Sequence, residues 1–437
     1  MKKNLKLLFL YSLSLCLFMA GCTGGKISNP TPLPTATVAP TATPDNNSQT
    51  PLMGDFKAMW VSQYDLTSVY TNNGSQRSKT DFTKKITAAI ENIKKLGFNT
   101  IILQVRPNAD SMYPSEYYPM SEYVVGDYGK DASYDPVEII VSTAHNLDLD
   151  IHAWINPMRA MSADDIKKVG DEYKIKQWYK DRTTCGEYIV NVDGRYYLNP
   201  AYEEVRNLII DGAVEAMTKY GFDGLHMDDY FYPTKDPGFD TISYKEYLSD
   251  GGALNLEDFR RHSLNLLVSG LYSAVKSINN SLLFGISPAG VINTVYNSQY
   301  ADVYEWCSKD GYIDYICPQV YFGMEHQNYD FVSVCNTFRD IIKTPSVKLV
   351  IGMTFGKALS GVDNYAGSGK YEWQKYDDIL SRCLSYTEDL EFCTGISVFC
   401  YQYFYQPLTG EKVSGTADEV DNFLPVLGNI SWNNTEG

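Results

Sequence analysis

Asp228 and Asp229 are adjacent carboxylates in the stretch densest in reactive side chains, Phe222-Asp223-Gly224-Leu225-His226-Met227-Asp228-Asp229-Tyr230-Phe231-Tyr232-Pro233. Side chains alternate along a strand, so His226 and Asp228 share a face, while Asp229 points the other way or starts the loop. Two neighbouring carboxylates near aromatic rings raise the pKa of one of them. That keeps a general acid protonated near neutral pH. Cleavage of a glycosidic bond commonly uses such a pair: one member protonates the leaving oxygen, the other attacks or activates water. The plainer alternative is that Asp228 and Asp229 only cap the next element.

Further polar groups recur along the chain: Gln63 and Asp65, Gln104, Arg106 and Asp110, Asn156 and Arg159, Ser287 and Asn293, Gln319, Tyr321 and Glu325, Lys357 and Asp363, and Tyr401 and Gln402. Hydrogen-bonding side chains of this kind suit a ligand rich in hydroxyls. Metal chemistry has thin support. There are five histidines, and His152 and His226 sit inside apolar runs, where core histidines are the ordinary reading. No metal and no cofactor is expected.

These residues need a scaffold that gathers them. Eight short, nearly continuous apolar runs alternate with helical patterns: 56–61, 100–105, 151–155, 224–227, 282–286, 313–317, 349–353 and 395–400. Such runs are what strands buried on both faces look like. Between them, residues 81–96 place Phe82, Ile86, Ala89, Ile90 and Ile93 at helical spacing and stop at Gly97; 201–220 repeats the device and stops at Gly221. Further helices are predicted near 135–146, 256–278, 299–309, 329–343, 373–387 and 416–427. The first run is followed by Ser62-Gln63-Tyr64-Asp65, without the glycine-rich phosphate turn of an open doubly wound sheet. The expected class is therefore α/β, a (β/α)8 TIM barrel with long loops on the C-terminal face, spanning 54–430. Functional side chains then come from the C-terminal strand ends, where the polar groups named above fall.

Composition narrows the partners. The chain has 437 residues, 44% of them hydrophobic, and a formal net charge of −16, so a phosphate backbone is an unsuitable ligand and no nucleic acid is expected. The 35 tyrosines offer flat faces with polar edges for a polar ligand. The cysteines contain no C-x-x-C pair, which argues for buried free thiols over a disulfide framework or zinc site. No feature encodes an oligomeric state.

The N-terminus reads as an export signal, residues 1–21. Lys2, Lys3 and Lys6 precede an apolar stretch too short to span a membrane. Met19-Ala20-Gly21-Cys22 resembles a bacterial lipobox, which implies cleavage before Cys22 and lipidation of its thiol. Residues 22–53, rich in Pro, Thr and Ala, form a semi-stiff tether. The expected localisation is exported and lipid-anchored to the bacterial cell membrane.

Residues 54–430 resemble the bacterial glycosyl-hydrolase-like ten family. The motifs are Lys57-Ala58-Met59-Trp60-Val61-Ser62, Gly97-Phe98-Asn99-Thr100 before Gln104-Val105-Arg106, the segment from Asp223 to Pro233, and Pro318-Gln319-Val320-Tyr321. The resemblance implies an exported or lipid-anchored barrel glycosidase acting on cell-wall glycan, including peptidoglycan strands stripped of peptides. The segment after Asp223 is also similar to the strand-four motif of family 18 chitinases, whose acid, a glutamate, would fall at Tyr230. That standard acid is therefore missing. Tyr321 resembles the tyrosine those enzymes place near the acetamido group.

The expected roles follow. Asp228 or Asp229 supplies one carboxylate. Glu325 is the first choice for the second, ahead of Asp65 and Asp110. Asp65, Gln104, Arg106, Asn156, His226, Gln319 and Tyr321 bind the polysaccharide, and Tyr230, with Trp60 and Trp154, offers stacking faces. Two other readings compete: a carbohydrate-binding lipoprotein without turnover, and a metal-dependent deacetylase.

Overall fold

A computed structural model describes residues 53–432; the signal, Cys22 and nearly all of the tether lie outside the described residues. Eight parallel strands close into a barrel: β1 Phe56–Val61, β2 Thr100–Arg106, β3 Asp150–Ile155, β4 Gly224–Met227, β5 Leu283–Ile286, β6 Tyr315–Ile316, β7 Lys348–Thr354 and β8 Cys393–Phe399. Each pairs with its sequence neighbours, and β8 returns to β1 in the register Phe56↔Gly395 through Met59↔Val398. The apolar runs predicted these strands to within a few residues, because nearly every position on them is buried.

A helix follows each strand: α1 Lys79–Lys95, α2 Pro136–Asn146, α3 Glu203–Tyr220, α4 Leu256–Ile278, α5 Val303–Ser308, α6 Phe331–Ile341, α7 Ile379–Thr387 and α8 Ala417–Asn429. Ser78 caps α1 through Asp81 N–H, and Phe82, Ile86, Ala89, Ile90 and Ile93 face the barrel. Two predicted helices are shorter than their periodicity suggested. The one near 299–309 begins only at Val303, because Tyr300 takes a left-handed φ of 56° and Asp302 provides the cap. The one near 373–387 divides into Glu372–Lys375 and α7, since Tyr376 is extended.

The barrel interior is unusually aromatic. His152, His226, Tyr315, Trp60 and Trp154 are all buried in contact with one another. Glycines make the room: a Cβ on Gly224 would lie 2.6 Å from the His152 ring, and one on Gly285 2.0 Å from Tyr315. The long connection after β3 carries an antiparallel sheet of Arg159–Ser162, Ile189–Val192 and Arg195–Leu198, with short helices Ala163–Lys168 and Lys174–Lys180. The sequence had marked this region only as a long loop. The seven cysteines from Cys185 to Cys400 are free thiols, six of them buried.

Candidate active site

The site forms where β1, β2, β3, β4 and β6 end. Trp154 and Asn156 lie two residues apart on β3 and its exit, so strand alternation sends both the same way. Both meet Asp228. Trp154 Nε1 donates to Asp228 Oδ2 at 3.1 Å, and Asn156 Nδ2 donates to the same oxygen. The Tyr230 backbone N–H donates to Oδ1 at 3.3 Å.

Behind Asn156 runs a relay. Gln104 Nε2 donates to Asn156 Oδ1 at 2.7 Å, and Gln104 Oε1 accepts the Gln63 backbone N–H at 2.8 Å. A backbone N–H can only donate, so Gln63 orients the Gln104 amide. Gln104 in turn orients Asn156, whose NH2 is left to face Asp228. Trp60 packs edge-on to Trp154 at 4.6 Å and donates its indole N–H to Ser397 Oγ at 2.9 Å. Trp60 and Trp154 are therefore the site's buried floor rather than open stacking faces.

Asp229 lies at a bend just beyond β4, which lets it leave the strict alternation of the strand. It is half-buried, and Gln319 Nε2 donates to its Oδ1 at 3.1 Å. Gln319 also donates to the Ser287 carbonyl, which ties β5 and β6 to the pair. Burial, then the neighbouring Asp229 charge, push Asp228 well above the usual carboxylate range. Burial also raises Asp229, while Gln319 and Arg159 draw it back. Two raised, adjacent carboxyls titrate as a pair and retain a proton where isolated ones would not. The relay and Trp154 present N–H donors that favour the charged form of Asp228, while burial and the Asp229 charge favour its protonated form, so the two carboxyls share a proton.

Around the pair stands an aromatic rim. Tyr230 is 39% exposed and Tyr64 58% exposed. Tyr64 packs edge-on to Tyr123 at 6.2 Å, and the Arg159 guanidinium lies 4.7 Å from the Tyr230 ring centre. Tyr321, half-buried, lies within electrostatic range of Asp229 and 6.2 Å from Phe399.

Asp228, Asp229, Gln104, Asn156, Gln319, Tyr230 and Tyr321 thus converge. Five predicted residues do not. Glu325 is exposed and ion-paired with Lys375 at 3.4 Å, and it joins no bond of the Asp228 network. Its loop turns toward Glu372, which accepts its backbone N–H. Asp65 is buried and fully engaged: it accepts from Ser62 N–H and Oγ, both at 2.6 Å, and from Gln402 N–H at 2.7 Å. It clamps the β1 exit to the β8 exit. Arg106 is buried over Tyr118 and donates to the Pro157 carbonyl at 3.2 Å. His226 is buried beneath Trp60, with Nδ1 2.8 Å from Tyr315 Oη. Burial holds it well below the usual histidine range, so it is a neutral core group. Asp110 likewise serves its own loop, accepting from Asn108 N–H and Tyr128 Oη. Arg159 was among the strand-exit polar groups but had no role assigned, and Tyr64 and Tyr123 were not expected at the site. The available signal for Arg159 was its place three residues past Asn156. Among the described residues, no cluster of His, Cys, Asp or Glu could hold a metal ion.

Residues 55–365 match the family described as glycosyl hydrolase-like 10. The chain is 31% identical over 293 residues to glycosyl hydrolase YngK of Bacillus subtilis (strain 168), covering 63% of this chain and 56% of that protein. It thus spans little more than half the length of that relative. It is 27% identical over 407 residues to glycosyl hydrolase DigH of Escherichia coli (strain K12), covering 87% of this chain and 90% of DigH. The PgaB (BpsB) glycoside hydrolase domain from Bordetella bronchiseptica superposes with a TM-score of 0.52 at 12% identity, over 79% of this chain and 93% of that domain. The β-amylase catalytic domain from Paenibacillus polymyxa gives 0.51 at 10%, over 85% and 98%. At these identities the two structures speak to the barrel alone.

Proposed function

Since the chain belongs to the glycosyl hydrolase-like 10 family, we propose that it is a glycosidase that cleaves a cell-wall polysaccharide, the glycan strands of peptidoglycan. The observation that carries this reading is the Asp228–Asp229 pair, both raised by burial and Asp228 also by the neighbouring Asp229 charge, at the mouth of a barrel rimmed with tyrosines. Both similar proteins are named glycosyl hydrolases.

In this reading Asp229, half-buried and with one side-chain donor, protonates the leaving oxygen. Asp228, held by Trp154, Asn156 and the Tyr230 N–H, keeps the charge and stabilises the cation-like sugar in the transition state; water then adds to the anomeric carbon and gives up a proton that restores Asp229. Gln319 and Tyr321 face the sugar, and Tyr230 and Tyr64 supply stacking faces. Cys22, once lipidated, holds the enzyme at the membrane, with residues 23–53 as the tether.

The test is mass spectrometry of products after incubating the protein with intact sacculi and with peptide-free glycan strands. Short saccharides with new reducing ends support a wall glycosidase. Tight binding without release would favour a carbohydrate-binding lipoprotein, the alternative that the tyrosine at position 230 keeps in view.

A further inference from the structure

The peptide unit that joins Asp229 to Tyr230 is hydrogen-bonded at both ends. Its N–H donates to Asp228 Oδ1 at 3.3 Å. Its carbonyl accepts from Phe231 N–H at 2.9 Å and from Gln299 Nε2 at 3.1 Å. Phe231 belongs to the same bend and moves with it. Gln299 stands on the connection between β5 and α5, at the end of the short helix Ile292–Ser298, so it ties the bend to another part of the barrel. Gln299 is itself fixed. Its backbone N–H donates to the Thr294 carbonyl at 3.1 Å. The following Tyr300 is buried, 5.6 Å from the Tyr232 ring and 4.8 Å from the Arg260 guanidinium.

A trans peptide is planar, and its C=O and N–H point in opposite directions. Fixing the carbonyl therefore fixes the N–H, and a donor on the carbonyl also polarises that N–H. Turning this peptide over would carry the Tyr230 N–H away from Asp228 and set a carbonyl against the carboxylate. Gln299 opposes that turn. Its amide is oriented by this contact, because a carbonyl only accepts and Nε2 must face it. Oε1 is then buried and accepts no hydrogen bond from the described residues. An unpaired buried amide oxygen costs stability, and a side chain kept for packing alone would have no need of it.

We infer that Gln299 is a positioning residue for Asp228, acting through the Asp229–Tyr230 peptide to hold a backbone donor on Asp228 Oδ1. It is the counterpart of Gln63. Trp154 and Asn156 hold Oδ2 from the β3 side, and Gln299 holds Oδ1 from beyond β5. Gln319 meanwhile holds the Asp229 side chain, so the bend is tied through both backbone and side chain. This rests on the reading of Asp228 as a catalytic carboxylate.

The experiment compares Gln299→Met, which keeps the length without the donor, with Gln299→Glu, whose carboxyl can donate to the carbonyl only while protonated. Gln299 is half-buried, and circular dichroism checks that both variants fold. The full-length protein is read in two ways. One is the pH dependence of kcat on peptide-free glycan strands. The other is a carbon-NMR titration of the aspartate carboxyls, in which the Asp228 signal is the one that Asp228→Asn removes. Asp229 faces Asp228 from its own segment and Arg159 from the β3 connection, and both are unchanged in either variant, so a shift reads the lost N–H. Gln299→Met should lower kcat about tenfold, with KM changed by less than about twofold, and move the Asp228 titration upward. Between about pH 7 and about pH 5, Gln299→Met should lose further ground on the wild type as pH falls, whereas Gln299→Glu should gain on it.

An Asp228 titration that stays in place in Gln299→Met would overturn the inference whatever happens to kcat, because Gln299 would then serve packing only. So would equal losses in the two variants at every pH. A titration that moves in Gln299→Met, in a protein whose wild type releases no product, would leave this inference standing and overturn the hydrolase reading instead.

Discussion

The backbone N–H of Gln63 sets the polarity of the amide that faces Asp228, although the two residues share no contact. The information passes through Gln104, which accepts from Gln63 and donates to Asn156, and then through Asn156 to the carboxylate. Amide side chains are otherwise free to present either end. Here a main-chain donor at the β1 exit makes Asp228 a permanent acceptor at the β4 exit.

The pair is expected to be indispensable. Asp229→Asn removes the transferable proton and should lower kcat on the order of 100-fold or more with the fold intact. Asp228→Asn should cost at least as much and also lower Tm, because an amide NH2 can be set against the Trp154 and Asn156 donors. Steady-state kinetics with circular dichroism checks both. Full activity in either folded variant would contradict the assignment.

Glu325→Gln provides the contrast. It disturbs only an exposed pair with Lys375, so stability should change by less than about 1 kcal/mol and hydrolysis by less than about twofold. A loss as large as that of Asp229→Asn would return Glu325 to the catalytic pair.

The relay should matter without touching substrate. Asn156→Ala leaves Gln104 Nε2 and Asp228 short of a buried partner, at a stability cost of about 1–3 kcal/mol. Asp228 then loses donors that favour its charged form, so the pH–rate profile of the pair should move upward as well. Lower stability with an unmoved profile would limit Asn156 to packing.

Stability should fall as pH rises from about 4 to about 7. Burial raises Asp65 to about 6 and Glu419 to about 7. In the unfolded chain both ionise near pH ~4. Between those values the folded protein binds more protons. The stability is fully present below the unfolded pKa and is lost as pH climbs through the folded one, on the order of 3 kcal/mol per group. Denaturation midpoints should therefore be higher near about pH 5 than near about pH 8. Glu419→Gln, whose amide oxygen still accepts the Leu380 N–H, should narrow that gap. An equal gap in both proteins would remove Glu419 from this account.

Membrane attachment should depend on one thiol. Cys22→Ser is expected to shift the protein from the membrane fraction to the soluble exported fraction, measured by fractionation and by mass spectrometry of the N-terminal peptide. Unchanged attachment would point to a different anchor.

The barrel, and the place of two adjacent carboxyls at one of its strand exits, were legible in the sequence because both obey short-range rules. Strands buried on two faces read as unbroken apolar runs, and Asp228 and Asp229 follow one such run directly. Alternation along β3 likewise put Trp154 and Asn156 on one face. What the chain alone did not determine was which polar groups meet. Asp65, Arg106 and Glu325 stand at or near strand exits as Gln104 and Asn156 do, yet the first clamps the β1 and β8 exits together, the second stacks over Tyr118, and the third follows its loop out to Lys375. Spacing sets the face a side chain leaves from. The partner it reaches depends on how loops from distant strands close over the barrel, and only the tertiary structure decides that.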